Sequence, residues 1–282
     1  MEATVDHSVE ATLNHHRGGS GEPLVLIHGI GSSWQAFQPV LDALEARHDV
    51  LAVDMPGFGE SPPLPAGIRP TIGALADAVE RACVAAGFDT PHVCGNSPGG
   101  WVGLELARRG RARTLVALSP GGGHNDRETK FVVASLKATH RMARTLAPLA
   151  DVLTRTAAGR TALFGQITAR PWQMEPEAAA ARLRTVAASP SFEATLDHTV
   201  ATDRARGLGE ISCPVTIAWG TRDRLLFPRQ GPRFVRAIPG ARLHELPGLG
   251  HVPMFDDAEM TARAVLETTG ARRSNGCSPA PA

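Results

Sequence analysis

Gly95-Asn96-Ser97-Pro98-Gly99-Gly100 lies between a short apolar run, Pro91-His92-Val93-Cys94, and a helical pattern over 101–109. A serine set between glycines on a sharp strand-to-helix turn has its hydroxyl pushed clear of the backbone, where it can attack a carbonyl carbon. Two further segments carry the groups such a serine needs. Asp223 ends Trp219-Gly220-Thr221-Arg222-Asp223, just beyond a β-rich run, and His251 ends Gly248-Leu249-Gly250-His251, beyond another. The division of labour is attack by Ser97, proton removal by His251, and control of the imidazole tautomer by Asp223. Each signal alone is weak. Glycine-rich turns after strands are common, a histidine after glycines is an ordinary loop residue, and an aspartate between arginines is an ordinary ion-paired turn. Their joint placement at strand ends points to a proton relay.

Pro98 departs from that pattern. The backbone N–H after such a serine is usually half of an oxyanion hole, and proline has none. Losing one donor costs about 10²–10³ in turnover. A residue before proline is sterically restricted, so Ser97 either keeps a strained turn or relaxes away from it. The helix itself tolerates proline at its first position.

Positioning these residues requires a sheet. Apolar runs predict strands over 23–28, 50–54, 93–95, 114–119 and 214–219, and the strand rhythm continues over 242–246. Helical spacing predicts helices over 34–47, 72–86 and 99–109, with Thr71 as an N-cap and Gly87 as a stop. This rhythm argues for a parallel sheet covered on both faces, whose loops meet in one crevice at the carboxyl ends of the strands. It breaks between Gly121 and about Gly209, where helical runs such as 131–147 and 177–188 replace strands. The expected organisation is a core over 1–120, a helical cap over 121–209, the core resumed over 210–271, and a disordered tail over 272–282. His124, Asn125 and Asp126 follow three glycines and form either a cap hinge or a solvated loop.

Composition sets the limits. The 282 residues are 43% hydrophobic with a formal net charge of +1, which gives no electrostatic reason to expect nucleic acid. Lys130 and Lys137 are the only lysines among 29 basic residues, and the absence of tyrosine excludes a tyrosine acid or oxyanion donor. Cys83, Cys94, Cys213 and Cys277 form no C-x-x-C pair, so buried thiols are expected rather than zinc or redox chemistry. No metal or dinucleotide motif is present, and no cofactor is expected. Residues 1–10 lack an apolar signal core and no run approaches a membrane span, so a cytoplasmic location is expected.

The elbow, His28-Gly29-Ile30-Gly31, Asp54-Met55-Pro56-Gly57-Phe58-Gly59-Glu60-Ser61, Trp219 to Asp223 and Gly250-His251-Val252-Pro253 together resemble the α/β-hydrolase superfamily, in its capped branch, from about Leu24 to Leu266. The resemblance implies an α/β fold with an eight-stranded, mostly parallel sheet and a helical cap inserted after the sixth strand. It implies that the Ile30 N–H points into the oxyanion hole and that position 98, as proline, leaves it incomplete. His28 and Asp54 then brace loops rather than react.

The expected activity is that of a serine hydrolase on a small to medium apolar ester or carbonyl compound. Trp34, Trp101, Trp172 and Phe227 suggest an apolar pocket, although each alone reads as core packing. The alternative is a non-hydrolytic cyclase, lyase or isomerase on the same fold, motivated by Pro98. A silent binding protein is a third reading, by analogy of fold alone. Epoxide hydrolases and dehalogenases of the superfamily need an acidic nucleophile, and position 97 is serine. Its C–C bond hydrolases share the asparagine before the serine, but often carry tryptophan where Val252 follows His251. Neither substrate nor oligomeric state is read from the sequence.

Overall fold

A computed structural model of the protein describes residues 13–270. The expectations for residues 1–10 and for the 272–282 tail, with Cys277, fall outside the described residues. Seven strands form one sheet: β1 (His15–Gly19), β2 (Glu22–Ile27), β3 (His48–Val53), β4 (His92–Asn96), β5 (Thr114–Leu118), β6 (Val215–Gly220) and β7 (Arg242–Leu246). Their order is β1-β3-β2-β4-β5-β6-β7, with β1 antiparallel to β3 and every other pair parallel. The expected eight strands are therefore seven among the described residues, and the insertion follows the fifth of these rather than the sixth. β1 reads His-His-Arg-Gly-Gly and carries no apolar alternation, because it is an edge strand with exposed alternate positions.

The central strands are buried on both faces, which is why they read as continuous apolar runs. Val25, Ile27, Val93, Leu115 and Ile217 face one layer, and Leu24, Leu26, Cys94, Val116 and Ala218 the other. The first layer receives α2 (Ile72–Ala85), α3 (Pro98–Arg108) and, through Phe234, α9 (Gly231–Ala237). The second receives α1 (Leu41–Glu45) and α10 (Ala258–Thr269). Thr71 caps α2, its hydroxyl accepting from the Ala74 N–H at 3.2 Å. The single helix expected over 34–47 is instead a 3₁₀ segment, Trp34–Val40, followed by the short α1. Pro39 supplies no N–H at that point and interrupts the α-helical ladder. Cys83, Cys94 and Cys213 are buried thiols, and burial pushes Cys83 and Cys94 up to about 12.

Between β5 and β6 stand α4 (Asp126–Leu146), α5 (Ala150–Thr154), α6 (Ala157–Phe164), α7 (Pro176–Ala188) and α8 (Phe192–His198). The first four share a small core of their own that includes Ala143, Phe164, Ala180 and Leu183, while α8 packs Phe192 and Leu196 into the first layer. The link into α4 is packed at His124 and exposed at Asn125 and Asp126. His124 is buried and its Nε2 meets the Val200 carbonyl at 3.0 Å, while Asn125 and Glu128 form a capping box. Burial alone would raise the Glu128 pKa, but Arg233, the Asn125 backbone and Arg229 outweigh it and hold the carboxyl at about 2. Those pairs fasten the start of the insertion to the segment that follows β6.

Candidate active site

The chain reverses sheet direction at β2, with β3 on one side and β4 on the other. A crevice forms at such a switch point, beyond the carboxyl ends of the strands. β4 delivers Ser97 there. A Cβ on Gly95 would lie 2.2 Å from the Gly99 carbonyl oxygen, and one on Gly99 would lie 2.2 Å from that of Ile27, so both flanking positions need glycine. Ser97 adopts φ 57° and ψ −123°, a region that costs a non-glycine residue about 1–3 kcal/mol. Backbone bonds hold it there: its N–H donates to Leu118 at 3.0 Å, and its carbonyl accepts from Trp101 at 3.1 Å and Gly121 at 3.0 Å. The strained turn persists despite the proline that follows. Pro98 takes the first position of α3, where an N–H has no helical partner in any case. It costs the helix nothing and leaves position 98 without a donor.

β6 and β7 deliver the other two residues. Asp223 Oδ2 lies 2.8 Å from His251 Nδ1. Asp223 Oδ1 accepts from the Leu225 and Leu226 N–H groups, each at 2.9 Å, so the carboxylate cannot swing. A carboxylate facing Nδ1 places the imidazole proton on that nitrogen and leaves Nε2 as an acceptor. Asn96 Nδ2 donates to the His251 carbonyl at 2.9 Å and to that of Leu118 at 3.1 Å, tying the serine turn to the histidine loop. Asp256, which the sequence reading missed, braces the same loop. It accepts from Gly250 N–H at 2.7 Å, Ala169 N–H at 3.0 Å, Arg170 N–H at 2.8 Å and the Thr168 hydroxyl. The helical insertion and the histidine loop are thereby one hydrogen-bonded unit.

β2 leads into His28-Gly29-Ile30. The buried His28 ring donates from Nδ1 to the Gly29 carbonyl at 2.7 Å and accepts the Met55 N–H at Nε2, 2.9 Å away. Burial lowers its pKa, in keeping with the neutral ring that those bonds require. Asp54 accepts from Asn14 at 2.7 Å, Trp34 N–H at 2.6 Å and Glu60 N–H at 3.0 Å. Both residues brace the turns around Ile30.

A cavity of about 240 Å³ is lined by Ile30, Ser97 and His251 from the core and by Leu136, Phe164 and Phe192 from the insertion. Ser97, His251 and Ile30 therefore meet in one space, with Asp223 behind the imidazole. Of the aromatics singled out in the sequence, none lines this cavity. Trp34 stacks on His16, Trp101 packs edge-on to His124, Phe227 stacks on Phe131, and Trp172 is 48% exposed. Phe164, Phe192 and Phe255 supply the aromatic walls instead. A roomier groove of about 360 Å³ between α2, α3 and residues 203–210 lies elsewhere and has neither Ser97 nor His251 in its walls.

Arg182, on α7, also lines the cavity. Its guanidinium lies 3.7 Å from the centre of the Phe255 ring. Its Nε is buried without a hydrogen-bond partner, and no ion pair reaches it among the described residues. Burial lowers its pKa to about 10, so it remains a cation at neutral pH. The sequence offered one faint sign of it, an arginine in the alanine-rich stretch whose Ala178 and Ala181 also line the cavity. Among the described residues no cluster of side chains could hold a metal ion, and no helix is long and apolar enough to cross a membrane.

A doubly wound sheet with a strained serine turn at its switch point, roofed by an inserted helical segment, defines a hydrolase-type α/β enzyme. The family model of the alpha/beta hydrolase family matches residues 24–264, and the chain belongs to that family. It is 32% identical to "Epoxide hydrolase EphH" of Mycobacterium tuberculosis over 186 residues, 64% of this chain and 87% of the relative. It is 27% identical over 274 residues to "2-hydroxy-6-oxononadienedioate/2-hydroxy-6-oxononatrienedioate hydrolase 1" of Dechloromonas aromatica, covering 92% of this chain and 91% of the relative. Among solved structures, the enol-lactonase from Burkholderia xenovorans superposes with a TM-score of 0.75 at 22% identity, over 92% of this chain and 96% of the other. The protein is thus an enzyme of the α/β-hydrolase class.

Proposed function

We propose that the protein is a serine hydrolase that acts on a small to medium, largely apolar ester or carbonyl compound bearing an acidic group. Ser97 Oγ attacks the carbonyl carbon while His251 Nε2 takes its proton, and Asp223 stabilises the imidazolium. The same proton then passes to the leaving group, and water repeats the sequence in reverse to release the acid and restore Ser97. The Ile30 N–H serves the oxyanion, and position 98 contributes none. The observation that carries this reading is the 2.8 Å Asp223–His251 pair backing a cavity that the strained Ser97 also lines. The EphH name does not transfer, because residue 97 is serine and not a carboxylate.

Arg182 supports the acidic group. A guanidinium set in the cavity wall with its Nε buried and unpaired is costly, and a substrate carboxylate would offset that cost through charge-assisted hydrogen bonds. The name of the Dechloromonas relative specifies an oxo compound with two carboxylates, which fits both a carbonyl at Ser97 and an anion at Arg182. A fluorophosphonate should label Ser97 in the folded protein and fail to label Ser97→Ala. Absence of labelling in a correctly folded sample refutes the reading.

Pro98 favours a second reading, a non-hydrolytic enzyme in which His251 moves substrate protons without an acyl-enzyme. Under it, Ser97→Ala retains a measurable share of the native turnover. Under the hydrolase reading, Ser97→Ala abolishes turnover.

A further inference from the structure

The cavity beside Ser97 does not end at its apolar walls. Ser33, Gln35 and Thr185 line it and also line a second, more open pocket of about 290 Å³. The outer pocket is completed by Gly59 and Glu60 from the turn after β3, and by Arg184, Ala188 and Ser189 at the end of α7. The two spaces therefore share one polar wall, at the seam between the insertion and the core.

That wall is unsatisfied in a particular sense. Gln35 Oε1 is buried and has no hydrogen-bond partner, and a buried acceptor left unpaired is costly. Among the described residues, the arginine of the outer pocket is engaged through one nitrogen, since Arg184 Nη2 pairs with Asp151 at 2.5 Å. Glu60 has no ion pair among the described residues, and its backbone N–H is used by Asp54. The Ser189 hydroxyl donates back to the Thr185 carbonyl at 2.8 Å. The shared wall thus leaves one buried acceptor unpaired, Gln35 Oε1, with the Glu60 carboxylate beyond it in the outer pocket. This contrasts with the inner cavity, where Arg182 offers donors.

We propose that the outer pocket is a second subsite, which takes the far end of an elongated substrate terminating in a hydrogen-bond donor such as a hydroxyl or amide N–H. The inference rests on Ser97 being the reacting centre. Gln35 is then a specificity-determining residue: its amide oxygen receives the donor of a chain long enough to reach the shared wall. A shorter chain ends among the apolar walls and gains nothing from such a donor.

The test compares p-nitrophenyl esters of linear acids with their ω-hydroxy counterparts, from short to long chains. The ratio of kcat/KM for ω-hydroxy over unsubstituted ester is expected to stay near one for short chains. It should rise to about tenfold for long ones, the effect of one buried hydrogen bond. Gln35→Met, which keeps the side-chain length, should bring the long-chain ratio back near one, and Thr185→Val should lower it by a smaller factor. A ratio near one at every length, or a ratio that survives Gln35→Met, overturns the proposal. Calorimetric Kd values for methyl ketones of the same chains read the same ratio without turnover. The subsite thus stands or falls on those values even if fluorophosphonate labelling rejects Ser97 as nucleophile.

Discussion

Replacing Pro98 tests what the missing amide costs. In Pro98→Ala the new N–H sits at the first position of α3, where the helix has no use for it. Ser97 remains pinned by its bonds to Leu118, Trp101 and Gly121, so the turn should keep its shape and leave that N–H available to an oxyanion. A full oxyanion donor is worth about 2.7–4 kcal/mol, or about 10²–10³ in turnover. An amide introduced into a site shaped without one should realise part of that, at least about tenfold. The gain belongs to the transition state, so it should appear in kcat with KM little changed. Stability pays in the other direction. Pro98 is buried, and losing two ring methylenes costs about 1.6 kcal/mol. Releasing the proline restraint on the unfolded chain adds about 0.4–1 kcal/mol. Pro98→Met restores most of the lost volume and separates packing from the donor effect. Initial rates on p-nitrophenyl acetate, with melting curves on the same samples, provide the assay. A kcat within twofold of the parent in both folded variants would show that the absent amide does not limit the reaction.

Arg182→Met should weaken binding of acid-bearing substrates by about ten- to a hundredfold, as expected for hydrogen bonds to a charged group. The melting temperature should change little, because the lost stacking on Phe255 is offset by removal of a partly buried cation that no ion pair reaches among the described residues; equal affinity for an acid and its methyl ester in the parent would contradict this. Asp256→Ala strands the buried N–H groups of Gly250 and Ala169, along with that of Arg170, and should cost at least about 3 kcal/mol in urea unfolding; a loss below about 1 kcal/mol would mean that water replaces the carboxylate. Burial pushes His28, His92 and His124 below the ordinary imidazole value, so the unfolded chain binds protons that the folded chain refuses. Their stabilisation is complete above about pH 6.5 and is lost as pH falls through the lower folded values. Urea midpoints should therefore drop between about pH 7 and about pH 5, and a flat profile would contradict the neutral rings.

Five apolar runs in the sequence were enough to place β2 through β6, because a strand buried on both faces must be apolar along its length, whereas β7, an edge strand reading Arg-Leu-His-Glu-Leu, was placed by the strand rhythm. Ser97, Asp223 and His251 were legible for a related reason: each lies one turn beyond such a run, among glycines that only a close backbone approach demands. Pro98 was equally legible, since the absence of an N–H is a covalent fact. β1 escaped because an edge strand pairs through its backbone and leaves its side chains unconstrained. Arg182, Gln35 and Asp256 escaped for a deeper reason. Nothing in their local sequence distinguishes a solvated polar residue from one carried into a cavity wall, because their burial depends on how the insertion settles on the core, and that depends on contacts more than 80 residues apart, such as Ala169 with Asp256. Residue type and spacing determined which chemistry is available. Only the tertiary packing decided which charges and acceptors surround it, and so what shape and polarity of molecule the cavity can receive.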